Sequence, residues 1–163
     1  MILVDTSVII DIWRNPDKKK QEIFERNEIA TCYVIRAELF HGARSDKEKK
    51  KIEDALNELN LLTINDEVWE YLGEILYKLK KQGLTVPFQD ALIASVCIKH
   101  NCQLWTQDKH FSKMGEILNE LNLFQPVEED LEGGISDSPT EKFDENEQPE
   151  EGFDNENGDA AAK

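Results

Sequence analysis

Asp5, Glu38, Asp90 and Asp108 are the residues of this chain best placed to do chemistry, because each falls where an apolar run ends or a helix begins. Asp5 closes the opening run MILV, and Glu38 lies in RAELFHGA, just after the β-rich ATCYVI. Asp90 starts the small-residue stretch DALIASVCI, and Asp108 follows QLWTQ. Acids at the carboxyl ends of parallel strands converge on one crevice, the place where α/β sheets bind ligands. Several carboxylates in one crevice suit a hard divalent cation. Two carboxylates about 5 Å apart repel by roughly 3 kcal/mol at an effective dielectric near 20. Four make that repulsion large enough that some must take up protons unless a cation joins them. An ion held there can activate a water for attack on phosphorus and offset charge on the phosphoryl oxygens, so metal-assisted phosphodiester cleavage is the expected chemistry. That chemistry needs no Ser–His or Cys–His pair, and His41, His100 and His110 are scattered. An aspartyl-nucleophile phosphatase fits poorly, since it wants a second acid where Ser7 stands.

The elements that must position these acids alternate strand and helix. Residues 2–4 read as a short buried strand, since an unbroken apolar run is what a parallel sheet demands. Thr6 and Ser7 are expected to cap a helix over 8–13, and 17–26 to form a basic surface helix with Ile23 and Phe24 inward. A second strand is expected over 30–35, followed by a helix over 37–43. Residues 45–59 place Ile52, Ala55, Leu56 and Leu59 on one stripe, and 59–64 read as a third strand. A helix from Asn65 or Asp66 to Gln82 carries Val68, Leu72, Ile75, Leu76 and Leu79 at helical spacing, and Gly83 ends it. Then come a helix over 89–100, a strand over 103–106, a short helix over 109–114 and a possible fifth strand over 121–124. This alternation predicts an α/β fold with a mostly parallel sheet of four or five strands covered on both faces. Trp13 and Trp105 sit in apolar contexts and are expected in the core. Asp11 is expected to be turned away from Asp5, as a surface or supporting group.

Charge is unevenly spread. Residues 127–163 carry 14 Asp and Glu against Lys142 and Lys163, a net of −12, which leaves only −3 of the chain's −15 for residues 1–126. The expected organisation is therefore one domain over 1–126 and an acidic, disordered tail over 127–163, too poor in apolar residues to build a core. A nearly balanced domain does not exclude a nucleic-acid partner. Three cysteines without CxxC spacing, Cys32, Cys97 and Cys102, argue against a disulfide framework and a zinc site. No apolar run approaches the ~18 residues of a membrane span, and the opening segment lacks a basic flank, so a soluble cytoplasmic protein is expected.

MILVDTSVIIDIW, the Glu of RAELFHGA, DALIAS and LWTQDKHF, in that order, resemble the signatures of PIN-domain ribonucleases, and most closely those of the VapC-type toxins of toxin–antitoxin pairs. The resemblance covers about residues 1–126. It implies a PIN-like three-layer α/β/α fold and Mg²⁺ or Mn²⁺ held in an acidic pocket by Asp5, Glu38, Asp90 and Asp108. It also implies RNA as substrate, a cognate antitoxin as partner, and a homodimer as a possible assembly. Thr6 or Ser7 would bond a carboxylate, and Thr106 would steady the loop before Asp108. Family members often carry a second acid at the position of His110, so the ligand set departs from the family there. Arg14, Arg36, Arg44 and His110 are the expected RNA contacts, among basic residues that also include Lys18 to Lys20 and Lys47 to Lys51. An RNA-maturation nuclease without an antitoxin, and a silent domain that only binds RNA or protein, stay open as alternatives.

Overall fold

The computed structural model describes residues 1–126. The expectations placed on residues 127–163 lie outside the described residues. Five strands form one parallel sheet in the order β3-β2-β1-β4-β5. They are β1 (Ile2–Val4), β2 (Ile29–Cys32), β3 (Asn60–Leu62), β4 (Gln103–Trp105) and β5 (Asn122–Leu123). Leu3 pairs with Ala30 on one side and with Leu104 on the other, and all three are fully buried. This burial on both faces is why the strands read as continuous apolar runs rather than alternating ones.

Seven helices link them: α1 (Thr6–Arg14), α2 (Lys18–Arg26), α3 (Tyr33–His41), α4 (Asp46–Asn57), α5 (Asp66–Lys81), α6 (Phe88–Lys99) and α7 (Lys109–Ile117). From β1 the chain winds outward through β2 to β3, then crosses back beyond β1 to β4 and β5. Parallel crossovers are right-handed in nearly all cases, so this reversal sends helices to both faces of the sheet. It also creates a switch point between β1 and β4, where the chain leaves two adjacent strands in opposite lateral directions.

Local chemistry sets the helix ends. Ser45 and Asn65 accept the backbone N–H groups of Glu48 and Val68, and Asp17 accepts that of Lys19. At the end of α5, Gly83 takes φ 78°, with the N–H of Leu84 bonded to Leu79 O. At the end of α6 the left-handed position is filled by Asn101 (φ 50°), with Cys102 N bonded to Cys97 O at 3.1 Å and Asn101 N to Ile98 O at 3.0 Å. The buried thiol of Cys97 donates to Cys102 O at 2.8 Å, and Cys32, Cys97 and Cys102 are all buried and free. Helix α6 is buried nearly all round from Ala91 to Cys97, which its small residues Ala91, Ala94 and Ser95 permit. Its first turn carries Asp90.

Three expectations are corrected. Residues 33–35 are not strand: β2 stops at Cys32 and Tyr33 opens α3. The β-branched Val34 and Ile35 suggested extension, but burying Ile35 and Leu39 one helical turn apart outweighs a propensity of tenths of a kcal/mol. Thr6 and Ser7 do not cap α1; they are its first two residues, and Asp5 holds the N-cap position without a side-chain cap bond. Their hydroxyls bond carboxylates instead. Trp13 is not core: it is 44% exposed, on the rim of an apolar cleft lined by Ile9, Ile12, Phe24, Leu56 and Leu59, whereas Trp105 is buried as expected. No helix among the described residues is long and apolar enough to cross a membrane.

Candidate metal centre

The site grows from the last residue of β1. Asp5 N donates to Trp105 O at 2.9 Å, which locks the ends of β1 and β4 together at the switch point. The Asp5 side chain is nearly buried and accepts from Ser7 Oγ at 2.6 Å and Thr106 Oγ1 at 2.9 Å, both on Oδ2. Each hydroxyl in turn accepts a backbone N–H from the loop after β4: Gln107 N on Ser7 Oγ at 3.1 Å, and Asp108 N on Thr106 Oγ1 at 3.0 Å. Two relays therefore run from loop amide to hydroxyl to carboxylate, so Asp5 and the 107–108 loop are oriented by one hydrogen-bond set. A hydroxyl serves this purpose because it accepts one bond while donating another.

Glu38 enters from the middle of α3. Thr6 Oγ1 donates to Glu38 Oε2 at 3.1 Å and lies 3.4 Å from Asp5 Oδ1, so one proton ties Glu38 to the Asp5 corner. Burial pushes the Glu38 carboxyl up; the Thr6 bond opposes this, and the charges of Asp5 and Asp90 add to it. Asp90, on the first turn of α6, is also pushed up, first by burial. Its hydrogen bond with His110 opposes the shift, while the charges of Asp108 and Asp5 reinforce it. Asp108 is the N-cap of α7 and accepts His110 N on Oδ1 at 2.8 Å. The His110 ring completes this half of the site, with Nδ1 3.0 Å from Asp90 Oδ2 and 3.4 Å from Asp108 Oδ1.

The four expected acids are thus one electrostatic unit, Asp5 and Glu38 joined through Thr6 and Asp90 and Asp108 through His110. Their partners are hydroxyls, backbone N–H groups and one imidazole. Asp90, Asp108 and His110 offer donor atoms that all lie within 4.8 Å of one another. Burial and mutual repulsion oppose the charges of Glu38 and Asp90, an opposition that a divalent cation would relieve, so the residues present fit such an ion.

The remaining expected residues are placed differently. Arg14 is exposed at the last turn of α1. Arg36 turns to the end of α4, donating to Leu56 O at 3.4 Å and Asn57 Oδ1 at 3.0 Å, where a cation also meets the negative end of the helix dipole. Arg44 is exposed, with its backbone N–H on Glu48. His100 bonds Thr63 O and His41 is exposed. Gln107 was not singled out from sequence, and no local signal marks it: its amide donates to Asp11 Oδ2 at 2.9 Å while its backbone serves Ser7. Asp11 is paired with Lys20 as well, which together with Asn15 and Gln107 holds its carboxyl well below the usual range. It braces the loop from outside.

A family model described as the PIN domain matches residues 2–117. Ribonuclease VapC1 of Methanocaldococcus jannaschii is 30% identical over 116 residues, which span 71% of this chain and 82% of that protein. Among solved structures, VapBC2 from Rickettsia felis, bound to a DNA fragment from its promoter, aligns with a TM-score of 0.65 at 26% identity over 76% of this chain and 98% of its own. VapBC-1 from nontypeable Haemophilus influenzae aligns with a TM-score of 0.66 at 24% identity over 76% and 97% respectively, a likeness of fold.

Proposed function

This chain belongs to the PIN-domain family, alongside the VapC ribonucleases, and on that premise we propose that it is a metal-dependent endoribonuclease, the toxin of a toxin–antitoxin pair. What supports the reading is the electrostatic linkage of Glu38 and Asp90 to Asp5 and of Asp90 to Asp108, beside the junction of β1 and β4, with donor atoms of Asp90, Asp108 and His110 within 4.8 Å of one another. Asp5, Glu38, Asp90 and Asp108 would hold Mg²⁺ or Mn²⁺. When bound, the ion supplies Lewis-acid charge neutralisation at the scissile phosphate and a water activated for attack. The chain's own part is orientation. Ser7 and Thr106 fix one Asp5 oxygen, Thr6 aims Glu38, and the α7 cap fixes Asp108. Preorganised donors of this kind cost no rearrangement when the substrate arrives.

RNA is the proposed substrate, with Arg14 and Arg44 at exposed positions able to meet backbone phosphates. The proposed protein partner is an antitoxin, in a cytoplasmic setting. The apolar cleft beside the exposed Trp13 supports a protein partner, since an open apolar surface rimmed by polar groups is what an interface covers. A homodimer is a further proposed assembly.

The deciding experiment is cleavage of single-stranded RNA with Mg²⁺, Mn²⁺ or EDTA, comparing the wild type with Asp5→Asn. Cleavage that EDTA and Asp5→Asn both abolish, with the circular dichroism spectrum unchanged, is expected. RNA binding without metal-dependent cleavage would instead make this a silent binding module.

A further inference from the structure

His110 stands within reach of two of the acids, Asp90 and Asp108. Its backbone N–H is fixed by Asp108 Oδ1, which places the ring on the first turn of α7 with Nδ1 turned towards Asp90. That bond also commits one Asp108 oxygen to capping a helix, so Asp108 has less to offer an ion than its charge suggests. Two donors bound side by side on an octahedral ion, with bonds of about 2.1 Å, stand about 3 Å apart. His110 Nδ1 and Asp90 Oδ2 share a hydrogen bond of 3.0 Å, so the two atoms already stand at the separation of such an edge and an ion would take the place of the shared proton; Asp108 completes a triangle of donors within 4.8 Å.

Resting on the reading of this cluster as a divalent-cation site, we propose that His110 Nδ1 is itself a ligand of the ion, giving the centre a nitrogen donor and a preference for first-row transition ions such as Mn²⁺ over Mg²⁺. Mg²⁺ is a hard cation that takes oxygen ligands and keeps several waters, whereas imidazole nitrogen binds the transition ions better, increasingly so along the series from Mn²⁺. On binding, the ring would release to solvent the Nδ1 proton that faces Asp90 and keep one on Nε2, leaving the Nδ1 lone pair for the metal. At 44% side-chain exposure, His110 forms the solvent side of the site and leaves room for coordinated water.

The test uses Mn²⁺ alone, without RNA, on the full chain. Electron spin echo modulation of bound Mn²⁺ should show a coupled nitrogen-14 in the wild type and in His100→Gln. It should be absent in His110→Ala and His110→Asp. Loss of a direct ligand should weaken Mn²⁺ binding, read from the free-ion resonance, by at least the roughly tenfold that removing an outer partner costs. His110→Asp should regain affinity while lowering the Mn²⁺-to-Mg²⁺ ratio, which a merely structural role would not move. Mn²⁺ bound by the wild type without nitrogen coupling overturns the ligand assignment and leaves the acidic site standing. No Mn²⁺ bound at millimolar concentration overturns both.

Discussion

Replacing Asp90 by Asn separates a carboxylate kept for metal from one kept for the fold. Burial and the charges of Asp108 and Asp5 push the Asp90 carboxyl up, with only the His110 contact opposing them. Two carboxylates about 5 Å apart cost roughly 3 kcal/mol at an effective dielectric near 20. The His110 contact and the open side of the site reduce this, so removing the Asp90 charge should stabilise the metal-free protein by about 1–2 kcal/mol, or about 4–8 °C in Tm for a domain of this size. Asn keeps an oxygen to accept from His110, so little packing is lost.

Metal should reverse the order. An ion at a hundred times its Kd adds about 2.7 kcal/mol to the wild type. If losing the ligand weakens binding about a hundredfold, the same concentration adds only about 0.4 kcal/mol to the variant, and the wild type becomes the more stable. The pH dependence follows from the direction of the shift. A carboxyl raised by folding lowers stability wherever the unfolded chain has lost that proton, so the gap between the metal-free proteins should be absent below the ordinary carboxylate range, open as pH rises from there to the raised Asp90 value, and stay full above it. The assay is thermal unfolding between pH 4 and 8, with EDTA or Mn²⁺. A metal-free Asp90→Asn less stable than the wild type at pH 7, or an equal response of both to metal, would refute the reasoning.

Ser7→Ala and Thr106→Val each remove a bond to Asp5 and orphan a loop N–H, so each should lower metal affinity by about 10–100-fold, measured by titration calorimetry. Arg36→Ala should cost about 1 kcal/mol in urea unfolding through its lost bonds to Leu56 and Asn57, with RNA affinity nearly unchanged; a large fall in affinity at unchanged stability would show the opposite role. Asn101→Gly should keep or slightly raise stability because φ 50° suits glycine, while Asn101→Ala should lower it by about 1 kcal/mol.

The sequence by itself determined where the acids stand relative to strand ends and helix starts, because apolar runs and helical spacing are local signals. Asp5 after Ile2–Val4, Asp90 at the head of α6 and Asp108 before α7 were legible for that reason. So was α5, whose stripe of Val68, Leu72, Ile75 and Leu79 spans about three turns. What lay beyond it depended on groups distant in the chain. Whether residues 33–35 extend or coil was settled by what Ile35 buries, and whether Trp13 is core by which helices close over α1. Arg36, near Glu38 in sequence, faces α4 because Leu56 O and Asn57 are there to accept from it. Only the tertiary structure joined Gln107 to Ser7 and Asp11 and brought His110 to Asp90, since strand order β3-β2-β1-β4-β5 makes neighbours of β1 and β4, about a hundred residues apart. Local pattern chose the acids; sheet order chose their company.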